Sequence, residues 1–68
     1  MQTIIVEFEN MDQMTQVFGP FDRNIKLIEK ALPVTITGQG DHVKVTGEDV
    51  MAQKAARTLE TLKKMRDN

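Results

Sequence analysis

The chain has no cysteine, which excludes a disulfide framework and any thiolate metal site. Two common stabilisers of very small domains are thereby removed, and a reducing setting is the compatible one. Aromatic residues are scarce: three Phe, no Trp and no Tyr among 68 residues, so a broad base-stacking platform cannot be built. The longest purely apolar run, Ile4-Ile5-Val6, is far too short to cross a bilayer. No charged segment precedes an apolar run at the N-terminus, so no signal peptide is expected. An excess of positive charge is also missing. The net charge of −1 argues against strong non-specific affinity for nucleic acid, which rests on many Lys and Arg contacts to phosphate.

What is present suffices for one folded domain over 1–68. The chain is 40% hydrophobic and 28% charged, the ordinary globular range, so disorder is not expected. A chain of this size buries only about 60% of the surface its unfolded form exposes, and its core is accordingly thin. The charges are unevenly placed. The first 22 residues carry Glu7, Glu9, Asp12 and Asp22 but no Lys or Arg, whereas Arg57, Lys63, Lys64 and Arg66 crowd the end.

Hydrophobic periodicity gives the element order. Ile4, Val6 and Phe8 alternate with Ile5, Glu7 and Glu9, which reads as a strand over 3–9. Asn10 offers an N-cap, with Gln13 in the capping-box position, to a short helix carrying Met14, Val17 and Phe18 on one side. Gly19-Pro20 stops it. A second helix places Ile25, Ile28 and Leu32 inward and Lys26, Glu29 and Lys30 toward water, with Asp22 as its cap or Pro20 in its first turn, and Pro33 closes it. Val34 and Ile36 alternate with Thr35 and Thr37, and Val43 and Val45 with Lys44 and Thr46, so a hairpin is expected with its turn at Gly38-Gln39-Gly40-Asp41. The last helix runs over about residues 48–65. Thr46 and Asp49 suit its capping box, and Val45 and Val50 a hydrophobic staple. Met51, Ala55, Leu59 and Leu62 form its buried stripe, widened by Ala52 and extended by Met65, before a charged, frayed terminus. The result is an α+β domain of order β-α-α-β-β-α, with the helices on one face of a three-stranded antiparallel sheet.

Catalytic and metal-binding constellations are not visible. His42 is the single histidine and reads as structural or solvent-exposed. Glu7 and Glu9 fall on one strand face and read as solvated, and Met14, Met51 and Met65 as core filler. No nucleophile elbow or phosphate loop occurs, so the sequence is read as non-enzymatic, with no cofactor and no metal of its own.

The segment Gly19-Pro20-Phe21-Asp22-Arg23-Asn24-Ile25-Lys26 is different, because it joins a glycine turn directly to a helix N-terminus. Backbone N–H groups and a positive dipole end gather at such a junction, with Arg23 and Lys26 beside them, as phosphate binding requires. The plainer reading is that Gly19 and Pro20 only let two helices turn.

Here the chain resembles a type I KH domain. Gly19-Pro20-Phe21-Asp22 stands where that family has a Gly-x-x-Gly loop, followed by Ile25-Lys26-Leu27-Ile28 and the strand Val34-Thr35-Ile36. The resemblance implies single-stranded RNA against Gly19, Pro20, Phe21, Asp22, Arg23 and Lys26, with Ile25, Ile28 and Ile36 lining a groove. The second loop glycine is Asp22 here, which adds negative charge where phosphate should lie and can itself occupy the helix N-terminus. The stretch Phe18 to Glu29, with Gly38-Gln39-Gly40 and Val45-Thr46-Gly47-Glu48, is also similar to the N-terminal domain of PhoH-like proteins. These are cytoplasmic bacterial phosphate-starvation ATPases. That likeness implies an excised accessory module whose parent binds ATP and magnesium at a P-loop beyond Asn68, since no Gly-x-x-x-x-Gly-Lys-Ser/Thr occurs in this chain. Two roles follow as expectations: an RNA-associated module with a degenerate KH loop, or a structural module packing on the ATPase domain or on a neighbouring subunit of a homo-oligomer. Neither involves a membrane.

Overall fold

The computed structural model of the chain describes residues 1–66. Its elements are β1 (Gln2–Glu7), α1 (Met11–Phe18), a tight turn over Pro20–Asp22, α2 (Arg23–Ala31), β2 (Val34–Gln39), β3 (His42–Gly47) and α3 (Asp49–Arg66). This is the expected α+β order, β-α-α-β-β-α. The three strands form one antiparallel sheet in the order β1-β3-β2, with β3 in the middle. The hairpin necessarily sets β3 beside β2, and β1 takes the free edge of β3. The frayed terminus expected at the chain's end lies outside the described residues.

Alternation along the strands puts Val6, Val34, Ile36, Val43 and Val45 beneath the helices and leaves Thr3, Ile5, Thr35, Thr37 and Lys44 on an open face. The helices therefore cover one side. α3 lies against β1 and β3 with Ala52, Ala55 and Leu59 sealed at 0% exposure, and Ala56 is buried beside them. Small side chains on this stripe let the helix sit close to the sheet. Gly47 serves a similar end: a Cβ there would lie 2.8 Å from Val34 Cγ1 and 3.2 Å from the Pro33 carbonyl. At the other end, Lys63 ties α3 to β1. Its ammonium donates to the Glu7 carbonyl at 2.7 Å, pairs with Glu60 at 3.2 Å and stands 5.6 Å over the Phe8 ring. Phe8 meets Phe18 edge to face, with centroids 6.3 Å apart.

Several boundaries differ from expectation, each for a local reason. β1 ends at Glu7 rather than Glu9, because the Glu9 N–H is taken by Gln13 Oε1 at 2.7 Å. Asn10 does cap α1, accepting from the Gln13 N–H at 2.8 Å. Gln39 pairs with His42, so the hairpin turn is two residues, Gly40-Asp41, not four. Gly40 alone of the pair has positive φ (+65°), the pattern of a type II′ turn. Thr46 does not cap α3. It lies in β3 with its hydroxyl 3.3 Å from that of Thr3, and the helix opens one turn of chain later. The Val45–Val50 staple fails with it, since Val45 is in the sheet core and Val50 is 58% exposed. Met65 is exposed rather than part of the buried stripe.

Among the described residues Gln2 Oε1 is buried without a hydrogen-bond partner, and such a group forfeits its hydration for nothing. Gln2→Met keeps the length and removes the amide. It is expected to raise the unfolding free energy by about 1 kcal/mol, read as a higher urea midpoint. A lower midpoint would mean that the amide contributes elsewhere.

Candidate nucleic-acid interface

α1 ends at Gly19, which has φ +81° and donates its N–H to the Thr15 carbonyl at 3.0 Å. Glycine is needed here twice over. The left-handed φ strains any other residue, and a Cβ would come 3.1 Å from Asn24 Nδ2. That amide donates to the Val17 carbonyl at 2.9 Å and locks the first turn of α2 against the last turn of α1.

Between these helices the chain makes an unusual reversal. Phe21 (φ +54°, ψ +35°) and Asp22 (φ +57°, ψ +31°) are both left-handed. Turns give such positions to Gly, Asn or Asp, and Asp22 fits that chemistry whereas Phe21 does not. Phe21 is 94% exposed. The fold thus holds a large aromatic ring in solvent on a disfavoured backbone.

Asp22 as the cap of α2 was one of two expectations, the other being Pro20 in its first turn; Pro20 lies in the separate turn before it. Asp22 occupies the N-cap position, but its side chain makes no capping hydrogen bond, and its left-handed backbone departs from the extended φ/ψ that capping residues adopt. The turn satisfies some of the leading amides itself: the Asp22 N–H donates to Gly19 O at 3.2 Å and the Arg23 N–H to Pro20 O. Fewer backbone donors remain for an anion than a bare helix N-terminus offers, so positive charge at this site comes chiefly from side chains.

Those side chains form a definite surface. An open, mostly apolar recess of about 380 Å³ is lined by Pro20, Phe21, Arg23, Lys26, Leu27 and Lys30. Positions 23, 26, 27 and 30 are i, i+3, i+4 and i+7, one outward stripe of α2. The recess thus gathers Pro20, Phe21, Arg23 and Lys26 with Leu27 and Lys30, while Gly19 and Asp22 are not among its lining residues. Lys30 was already expected to face water, and Leu27 was readable as the apolar member of the stripe opposite Ile25 and Ile28.

The three isoleucines assigned to the groove are elsewhere. Ile25, Ile28 and Ile36 are each at most 9% exposed and belong to the core, leaving little of them for a ligand. Ile36 is further covered: its N–H, at the outer edge of β2, donates to Glu29 Oε2 at 2.9 Å. Glu29, expected to face water, is half-buried by this contact. His42 is half-buried at the start of β3, with Nδ1 3.6 Å from Asp41 Oδ1. Among the described residues no group of three His, Asp or Glu side chains could hold a metal ion, and no helix is long and apolar enough to cross a membrane.

No protein-family model and no solved structure matches the chain.

Proposed function

We propose that the chain is a non-catalytic accessory domain that associates weakly with single-stranded RNA through Phe21 and the cationic recess beside it. The carrying observation is the fully presented Phe21 ring, held on a left-handed backbone at the rim of a recess lined by Arg23, Lys26 and Lys30. A base can stack on the ring while its phosphates meet the three cations, a combination suited to a flexible single strand. We further propose, on the resemblance of Phe18–Glu29, that the parent is a cytoplasmic PhoH-like ATPase whose nucleotide site lies outside this chain.

A second reading draws on Leu27, 55% exposed in the same recess. An apolar floor equally accepts a side chain from an ATPase domain or a neighbouring subunit, and Asp22 opposes a polyanion there. Salt separates the two. Three phosphate contacts on a single strand give a slope of about −2 in log K against log salt, so affinity should fall about 20-fold between 50 and 200 mM. Packing on an apolar side chain lacks that slope.

The test is titration of the 68-residue chain with a short oligoribonucleotide at low salt, following backbone amide shifts. Salt-sensitive shifts clustered on Gly19–Lys30 are expected; no shifts at low salt would sink the RNA reading. Asp22→Gly removes a negative charge from the rim and supplies the residue that its φ of +57° favours. It is expected to tighten binding about fivefold, the ~1 kcal/mol that two unit charges about 4 Å apart exchange in water. An unchanged or weaker affinity contradicts the role given to Asp22.

A further inference from the structure

The sheet has two edges, β1 and β2, and the fold treats them differently. At β2, Pro33 precedes the strand and the Glu29 carboxylate occupies the Ile36 N–H. Since the Ile36 N–H points away from β3 and Ile36 is the register partner of Val45, Val45 must direct its backbone groups to β1, where its partner is Ile4. Antiparallel alternation then turns the N–H and C=O groups of Thr3, Ile5 and Glu7 away from the sheet. Lys63 takes the Glu7 carbonyl. Among the described residues nothing covers the outward groups of Thr3 and Ile5. Over Thr3–Val6 the strand is entirely β-branched and carries no Pro, Lys or bulge, the devices that normally blunt an edge. Ile5 is 46% exposed on the open face.

We propose that this edge pairs with the same edge of a second copy, antiparallel, with Ile4 on the two-fold axis and Thr3 opposite Ile5 of the other chain. This register is the one that uses the two uncovered residues and leaves out the guarded Glu7. It gives four backbone hydrogen bonds and one continuous six-stranded sheet with all helices on the same side. The charges of α3 agree with it. α3 runs in the same sense as β1, because Gly47, just before it, pairs with Gln2, and Lys63 reaches Glu7. A two-fold axis therefore sets the two α3 helices antiparallel. The acidic start of each (Glu48, Asp49) then lies at the same end as the basic Lys63–Lys64 segment of its partner. The contact is much smaller than the roughly 1,600 Å² of a standard stable interface, so the dimer forms only at high concentration.

Sedimentation equilibrium of the chain from about 10 µM to about 1 mM tests this, since that range brackets an association of roughly 4–7 kcal/mol. A rise from monomer to dimer mass is expected. Ile5→Pro deletes an outward N–H without touching the ladder to β3, and it should leave a monomer throughout with unchanged far-UV circular dichroism. Should that variant not fold, amide exchange on the unmodified chain decides: Thr3 and Ile5 are expected to gain protection with concentration, and no gain overturns the proposal. In a mixed-label sample the non-hydrogen-bonded pair at the axis brings Ile4 Hα against Ile4 Hα of the partner, with Cα atoms about 4.5 Å apart. A monomer at all concentrations, an open-ended larger assembly, dimerisation of a folded Ile5→Pro chain, or a different Hα pair would each overturn it.

Discussion

Leu59→Ala is expected to lower the unfolding free energy by about 2–5 kcal/mol and the melting temperature by roughly 15–35 °C. The site is the centre of the molecule: Leu59 is 0% exposed, on the α3 stripe that covers Val43 and Val45, themselves at 0%. Both the lost transfer energy and the cavity count here, because the neighbouring Ala55 and Ala56 are too short to move into the space. A chain of 68 residues has about 3–10 kcal/mol to lose in all, so the substitution removes a large share of the total. Met65→Ala, at a position 68% exposed on the same helix, is the control and should change stability by less than about 0.5 kcal/mol. Thermal unfolding followed by circular dichroism measures both. A fall below about 5 °C for Leu59→Ala would mean that the core is centred elsewhere.

How far the sequence disclosed the fold depends on what kind of force sets each feature. Burial periodicity is a strong signal, and Val43, Val45, Ala55 and Leu59 fell on their buried faces because alternation and the i, i+4 stripe leave no other arrangement. Ends of elements rest on single hydrogen bonds that several residues can supply. Thr46 was as good a cap by chemistry as any residue near it. Only the pairing of β3 through Gly47 with both neighbours, invisible locally, keeps it in the sheet. The same holds for Glu29, whose partner Ile36 comes from another element. At the candidate site, the residue types were legible but the backbone was not. Gly19-Pro20-Phe21-Asp22 announces a turn, yet no pattern rule would assign two successive left-handed residues to Phe and Asp.

That backbone makes Phe21→Gly the sharper functional test, because its two expected effects have opposite signs. At φ +54° a Cβ is strained, and the 94% exposed ring returns almost no burial to offset it. Glycine removes the strain, and even after its larger unfolded-state entropy it should stabilise the fold by roughly 0.5–1 kcal/mol. If the ring stacks on a base, the same change removes about 1–3 kcal/mol of binding, a loss of about 5- to 150-fold in RNA affinity. Stability and affinity must then be measured on one sample, by thermal unfolding and by oligoribonucleotide titration. A rise in melting temperature together with a fall in affinity identifies Phe21 as a residue kept for contact at the cost of stability. Unchanged RNA affinity with a raised melting temperature would remove the ring from the nucleic-acid site and turn the recess toward a protein partner. A drop in melting temperature would show that the ring packs within the fold, and the premise on which the site was built would be lost.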